Sequence, residues 1–268
     1  MKPTNLLLFL CGLMLAACGT NNSTTETAET TIEESPAEVL TASIDYPPAL
    51  QRAIDAHGGL DTWKGMKSMY FEIPGDESSE KHYVALDSRN DRVENSEATM
   101  GYNGQQVWIV ADTSSYKRDP IFYHNLMFYF YAMPFVLADP GIVYTETTPM
   151  EFEGVSYPGV GIAYEDGVGA SSKDEYFIHF DPESGQMAWL GYTVTYFSGE
   201  KSDKVSWIRY HDWHSTEGLL LPKAISWYQL EDGKPKEVRN TVEFEAVAVS
   251  SQPHDPEMFN PPADAIIK

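Results

Sequence analysis

The chain has 268 residues, with 40 acidic against 18 basic side chains and a formal net charge of −22. That balance excludes nucleic acid, whose phosphates need basic partners, and it excludes electrostatic docking on anionic lipid heads. The two cysteines, Cys11 and Cys18, both fall in the first 18 residues, so the folded part has no disulfide, thiol nucleophile or thiolate metal site.

Residues 1–17 read as a signal peptide. Lys2 supplies the positive charge, and the apolar stretch from Leu6 to Leu15 is too short for a permanent membrane helix. The sequence Leu15-Ala16-Ala17-Cys18 resembles a bacterial lipobox. This implies that Cys18 is lipidated and that its acyl chains form the membrane anchor. Gly19 and Thr20 follow, without the Asp that favours inner-membrane retention, so an outer-membrane lipoprotein is expected, facing the periplasm or the cell surface. Residues 18–45 are rich in Thr, Glu and Ser and too poor in apolar residues to pack. They read as a solvated tether.

Residues 46–268 are expected to form one domain. "YPPALQRAIDAHGG" predicts a short helix, with prolines at its start, apolar residues at helical spacing and Gly58-Gly59 as its stop. From Met66 the apolar period becomes two. "KSMYFEI", "KHYVALD" and "DRVENSEATMGYNGQQVWIVAD" predict strands, the last with a hairpin at Asn103-Gly104. Asp119-Pro120 reads as a helix cap and first helical residue, opening the aromatic run "IFYHNLMFYFYAMPF", Ile121 to Phe135. About six further strands follow, joined by short turns, and "HDPEMFNPPADA" reads as a cap over one sheet edge. Short connections make neighbours antiparallel. The fold class expected is α+β, with one large curved antiparallel sheet and helices packed on one face.

Several stretches carry a family resemblance. They are the Asp-x-x-x-Gly hairpin of Asp181 to Gly185, the strand Tyr210-His211-Asp212-Trp213, the Gly-apolar-x-Pro segment of Gly218 to Pro222, and the terminal Phe259 to Pro262. In this order, over about residues 46–262, they are similar to the LolA/LolB-like lipoprotein carriers. "AHGGLDTWKGMKSMYFE" and "MPFVLADPG" resemble a lipoprotein group of Bacteroidota of the same general shape. The resemblance implies a half-open β-barrel, with helices covering its concave face over a hydrophobic cavity that accepts acyl chains.

The aromatic run holds seven Phe and Tyr rings and no polar face on a helical wheel. A helix apolar all round is buried all round or spans a membrane, and fifteen residues between Asp119 and Asp139 do not span. Two readings stay open: a fully packed core helix, or the wall of a cavity for an apolar or acylated ligand. On the second reading the ligand-binding wall is drawn from Trp63, Phe128, Tyr129, Phe130, Tyr131 and Phe135, with Trp108, Trp189 and Tyr196 opposite. Tyrosine hydroxyls favour a cavity rim, and Met127 and Met133 give an adaptable wall.

Motifs for chemistry are sparse. His211-Asp212-Trp213-His214 is the most enzyme-like stretch, and an envelope hydrolase using it is the alternative function. On a strand, His211 and His214 point to opposite faces, which spoils joint metal ligation. Ser198 to Lys201 and Ser78 to Lys81 match Ser-x-x-Lys but lie in polar loops, where no helical turn brings the pair together. His57, in the last turn of the first helix, has a sufficient structural role at the helix dipole. No cofactor or metal is expected. A scaffold with a filled core and a partner-binding surface is the third reading.

Overall fold

The structure, a computed structural model, describes residues 46–112, 116–165 and 173–268. The expected signal peptide (1–17), the lipidation site Cys18 and the tether (18–45) lie outside the described residues.

Helix α1 (Pro48–Ala56) starts on proline, where a missing N–H costs nothing, and buries Leu50, Ala53 and Ile54. It stops at Gly58, φ 111°. A side chain there would be strained, and its Cβ would run into the carbonyl of Gly218. A second helix, α2 (Leu60–Gly65), follows at once and buries Trp63. The glycine pair therefore separates two helices, where the sequence pattern suggested the end of the helical region.

Strands β1 (Ser68–Ile73), β2 (Glu80–Ala85), β3 (Asp91–Glu94), β4 (Ala98–Tyr102) and β5 (Val107–Ala111) form a meander. The aromatic run comes next. After it lie β6 (Ile142–Thr145), β7 (Met150–Phe152), β8 (Val155–Tyr157), β9 (Gly159–Tyr164), β10 (Tyr176–Phe180) and β11 (Met187–Tyr192). The long strands β12 (Ser206–Thr216), β13 (Leu219–Glu231) and β14 (Lys234–Glu243) follow, then β15 (Glu245–Ser250) and the two-residue β16 (Ile266–Ile267).

The single sheet expected from sequence is two. One seven-stranded sheet has the order β15-β1-β2-β3-β4-β5-β16, and the other β14-β13-β12-β11-β10-β9-β6. Strands β7 and β8 form a separate hairpin. All pairings are antiparallel, and neither sheet closes on itself. The division falls at Phe244, the one residue between β14 and β15. It is buried, so the chain turns inward there and leaves one sheet for the other. The period-2 pattern on either side gives no sign of this switch.

The aromatic run is not one helix either. It is α3 (Pro120–Tyr123), α4 (Leu126–Tyr131) and a 3-10 turn (Phe135–Ala138). Asp119 caps α3 through the N–H of Ile121, as expected. The break follows at His124, whose Nδ1 lies 2.6 Å from a carboxyl oxygen of Asp91 on β3. A straight helix apolar on all sides would need apolar neighbours on all sides. Three short segments solve that problem by aiming their rings differently. Phe130 meets Trp227 and Tyr192, Tyr131 meets Phe71 and Phe244, and Phe135 stacks on Trp63 at 4.8 Å.

His57 joins α1 to the second sheet. Its Nδ1 donates to the carbonyl of Leu220 (2.8 Å) and its Nε2 accepts from the N–H of Met187 (3.1 Å). Both bonds need the neutral ring, and burial lowers its pKa from 6.5 to about 4 despite the carbonyl. A histidine with a depressed folded pKa stabilises above pH 6.5 and loses that contribution as pH falls toward 4. Urea unfolding should therefore show stability declining across this window by about 1.4 kcal/mol per pH unit from this group. His57→Gln should lower stability at pH 7 and flatten that slope; an unchanged slope would remove His57 as its source.

Tyr131 is fully buried and its hydroxyl has no hydrogen-bond partner among the described residues. An unsatisfied buried hydroxyl carries its desolvation penalty uncompensated. Tyr131→Phe is expected to raise the unfolding free energy by about 1 kcal/mol, read from the urea midpoint. A loss of that size would mean that the hydroxyl is bonded in solution.

Candidate functional site

A concave, largely apolar cavity of about 430 Å3 lies between the aromatic run and the second sheet. The run contributes Phe122, Leu126, Tyr129, Phe130, Met133 and Val136. Ile142 on β6, Tyr164 on β9 and Tyr176 on β10 face them. Strand alternation places these last two together, because Tyr176 pairs with Ile162 and so shares a face with Tyr164 two residues on. Their rings meet edge to face at 5.7 Å.

Tyr196, in the segment after β11, closes one side. Its hydroxyl donates to Asp119 at 3.0 Å, so the residue that caps α3 also holds Tyr196 in place. Phe122, Tyr196 and Phe197 form an aromatic cluster there, with centroids 5.1 to 5.2 Å apart. Phe197 is 72% exposed, so the cluster continues from the cavity to the surface.

The other end is polar. Arg89, in the left-handed region at φ 61°, bonds both carboxyl oxygens of Asp139 at 2.7 and 2.8 Å. Its guanidinium also lies over Phe128 at 5.5 Å and bonds the carbonyl of Leu86. A smaller cavity, about 140 Å3, is lined by Trp63 and Phe135 and shares Asp87, Arg89 and Asp139 with the larger one. The Arg89–Asp139 pair therefore stands where the two meet. Burial, with the charges of Asp139 and Asp174 adding to it, raises the pKa of Tyr164. Tyr129 and Tyr176 are raised chiefly by burial too, so these tyrosines stay neutral.

A buried polar network lies behind the run. Burial works to raise the pKa of Glu80, yet hydrogen bonds with His82, Tyr123 and Asn95 outweigh it and hold the carboxyl down to about 2. Asp91 moves the other way, raised by burial although His124 opposes this. The network pins α3 and the α3–α4 break to the first sheet, and so fixes the cavity's roof.

Of the residues expected on the wall, the structure places Tyr129, Phe130 and Tyr196 on the larger cavity and Trp63 and Phe135 on the smaller. Phe128 and Tyr131 are packed in the core and touch neither. Trp108 and Trp189 require correction. Trp108 lies on the far face of the first sheet, where its indole N–H donates to the carbonyl of Phe259 in the C-terminal tail (2.8 Å). Trp189 is opposite in alternation to Leu190 and packs against Phe152 and Tyr228 on the outer face of the second sheet. Arg89, Asp139, Tyr164 and Tyr176 are lining residues that sequence reasoning missed. Alternation could have found the two tyrosines, whereas nothing local marks the turn residue Arg89.

The His211 stretch has an unexpected connection. Asp212 Oδ2 lies 2.9 Å from His211 Nδ1, and His211 Nε2 lies 2.9 Å from Ser226 Oγ, the connectivity of a Ser-His-Asp triad. Its setting opposes acyl transfer. Ser226 is 2% exposed, shares its hydroxyl with Thr241 (2.7 Å), and lies mid-strand between β12 and β14. There the backbone N–H groups that could hold an oxyanion serve the sheet instead. Asp212, the orienting acid, has a side chain 72% exposed. Among the described residues no group of three or more His, Cys, Asp or Glu is placed to hold a metal. Lys201 pairs with Glu175, and the Ser198 hydroxyl bonds the carbonyls of Thr195 and Glu200.

The chain matches no curated protein by sequence. It resembles the solved structure of a LolA superfamily protein from Nitrosomonas europaea, at 11% identity and a TM-score of 0.46, over 80% of this chain and 96% of that one. It also resembles a DUF1329 family protein from Desulfovibrio piger, at 9% identity and a TM-score of 0.43, over 74% and 90% of the two chains. Residues 96–243, more than half of the sequence, match the model of DUF6503, a family of unknown function, and the chain belongs to that family.

Proposed function

We propose that the domain binds an apolar or acylated ligand, a lipid or the acyl part of a lipoprotein, in the cavity beneath α3 and α4, and that it does so without chemistry. The observation that carries this reading is the cavity itself. At about 430 Å3 it falls within the roughly 300–1,000 Å3 of ligand pockets. Its walls are chiefly aromatic and aliphatic, its tyrosines are held neutral, and Arg89, the one cation on its lining among the described residues, is already paired with Asp139. Such a lining repays an apolar chain with about 25 cal/mol for each Å2 removed from water and offers an anion little. The polar end at Arg89 and Asp139 suits a head group that exchanges hydrogen bonds. Phe122, Tyr196 and Phe197 give an apolar approach from the surface. Acyl chains on Cys18 would hold the domain at the outer membrane, where such ligands are found.

The scaffold reading asks for a filled core, and the cavity speaks against it. The hydrolase reading has the Asp212–His211–Ser226 connectivity in its favour and the burial of Ser226 against it.

Titration of the full-length chain in detergent with a fluorescent long-chain fatty alcohol should show saturable uptake, and native mass spectrometry should show one bound chain. Tyr129 is half-buried on the wall, so Tyr129→Glu should weaken uptake at least about tenfold, the cost of placing one charge against an apolar ligand. Met133→Trp fills the cavity from a wall residue and should block uptake while a cooperative thermal transition survives. Absence of uptake by the parent chain, or two folded variants that bind as the parent does, would sink the proposal.

A serine-directed fluorophosphonate probe should leave Ser226 unlabelled, and His211→Ala should leave lipid uptake unchanged. Labelling at Ser226 that His211→Ala abolishes would bring the hydrolase reading forward.

A further inference from the structure

The outer face of the second sheet carries a second concave site, which the apolar cavity does not explain. Because side chains alternate, Phe177, Trp207 and Gly191 lie opposite to Ile178, Ile208 and Leu190 of the core. Across the strands they make one row, in which Gly161 pairs with Phe177, Phe177 with Gly191, and Gly191 with Trp207. The glycine matters. A Cβ on Gly191 would lie 2.9 Å from the six-membered ring of Trp207, so the indole lies down over the sheet where a side chain would otherwise stand. Trp207 stays half-buried in this position.

Phe177 and Trp207 of this row form the floor of a groove of about 390 Å3. One wall is the segment from Thr147 to Glu151, and the other is the β13–β14 turn with Lys234. His179 joins the floor, with its ring 5.5 Å from Trp207. Its Nδ1 lies 3.1 Å from the carbonyl of Tyr157 and must donate to it, which leaves Nε2 an acceptor. His179 is 2% exposed, and burial keeps it neutral.

We propose that this groove is a glycan-binding site, in which a neutral sugar ring lies on the Trp207 indole. The ligand must be flat, with an apolar face for the ring and polar edges for what surrounds it. A pyranose has that form, with C–H groups on its faces and hydroxyls at its rim. The rim would meet the acceptor of His179, the hydroxyls of Thr147 and Thr148, and the charged ends of Glu151 and Lys234. Charge selects the same class. In a chain of net charge −22 the groove carries one acid and one base, which neither attracts nor repels a neutral chain. A nucleotide base is also flat, but its phosphates would meet a single basic side chain, Lys234, on the groove lining among the described residues. A free acyl chain would leave the polar walls unpaired.

The full-length chain should be titrated calorimetrically with N-acetylchitohexaose, cellohexaose and maltohexaose, which are soluble, neutral and differently linked. Cosedimentation with purified peptidoglycan sacculi distinguishes a cell-wall source from other glycans. At least one oligosaccharide should bind, with an affinity that changes little between low and high salt. Trp207→Ala should weaken it about tenfold, the worth of one aromatic platform. Trp207→Phe should keep part of the affinity, and Phe177→Ala gives a second reading should Trp207→Ala fail to fold. Tyr129→Glu, in the apolar cavity, should leave glycan binding unchanged, so that the two sites stand or fall separately. No binding to any of the three sugars or to sacculi would overturn the proposal. So would binding indifferent to Trp207 and Phe177, or capture of a proline-rich peptide in place of the sugars.

Discussion

Three rings hold the two sheets and the roof together. Phe71 on β1, Phe244 between β14 and β15, and Tyr131 at the end of α4 meet with centroids 4.3 to 5.7 Å apart. Each belongs to a different part of the chain, and all three are buried. Aromatic pairs in such geometries contribute about 0.5–1.5 kcal/mol each beyond the area they bury. The consequence for geometry is larger than the energy. Once Phe244 is drawn inward, the chain must leave the second sheet and join the first. Once Tyr131 is fixed, successive side chains of α4 are turned by the helix, and Phe130 and Tyr129 face the second sheet. The cavity is the space left between that face and β6, β9 and β10. Tyr210 sets its depth by donating to the carbonyl of Phe130 at 2.7 Å.

Charge is distributed in a way the composition alone does not suggest. The surface is strongly acidic, yet the acids nearest the site are paired or hydrogen-bonded. Glu80, Asp91 and Asp139 bond to His82, His124 and Arg89, and Asp174 accepts from Thr195. A buried charge without such partners would cost several kcal/mol. These pairs are what let a broken helical segment lie against polar β-strand residues. On the cavity lining itself, Arg89 pairs with Asp139, while Asp87 and Asp174 keep the acidic character of a chain of net charge −22.

The second sheet serves two faces at once. Tyr176, Ile178, Leu190 and Ile208 point toward the helices, while Phe177, His179, Trp189 and Trp207 point outward. The outward aromatics are partly covered by the β7–β8 hairpin, whose Phe152 lies against Trp189 with Arg209 over both. What the hairpin does not cover is the groove at Phe177 and Trp207. A sheet with aromatic residues on both faces reads in sequence as a continuous apolar run. For that reason Trp189 could be mistaken for a cavity residue.

The sequence determined many of the features that depend on neighbours in the chain, though not α2 after the glycine pair or the β7–β8 hairpin. The start and stop of α1, the hairpins at Asn103-Gly104 and at Asp181 to Gly185, the Asp119 cap and most strands were legible, because caps, turns and periodicity act within a few residues. The greasy nature of the Ile121 to Phe135 run was legible too. Tertiary structure alone decided how that run is cut and which ring faces what. The cut is made by Asp91, over thirty residues earlier, and the orientation by Phe71 on β1 and Phe244 between β14 and β15. It also decided that one sheet becomes two, that Arg89 meets Asp139, and that Ser226 meets His211. Each of these is a contact between residues far apart in the chain. Its energy comes from burial and pairing that exist only once the chain is folded, so no local pattern encodes it.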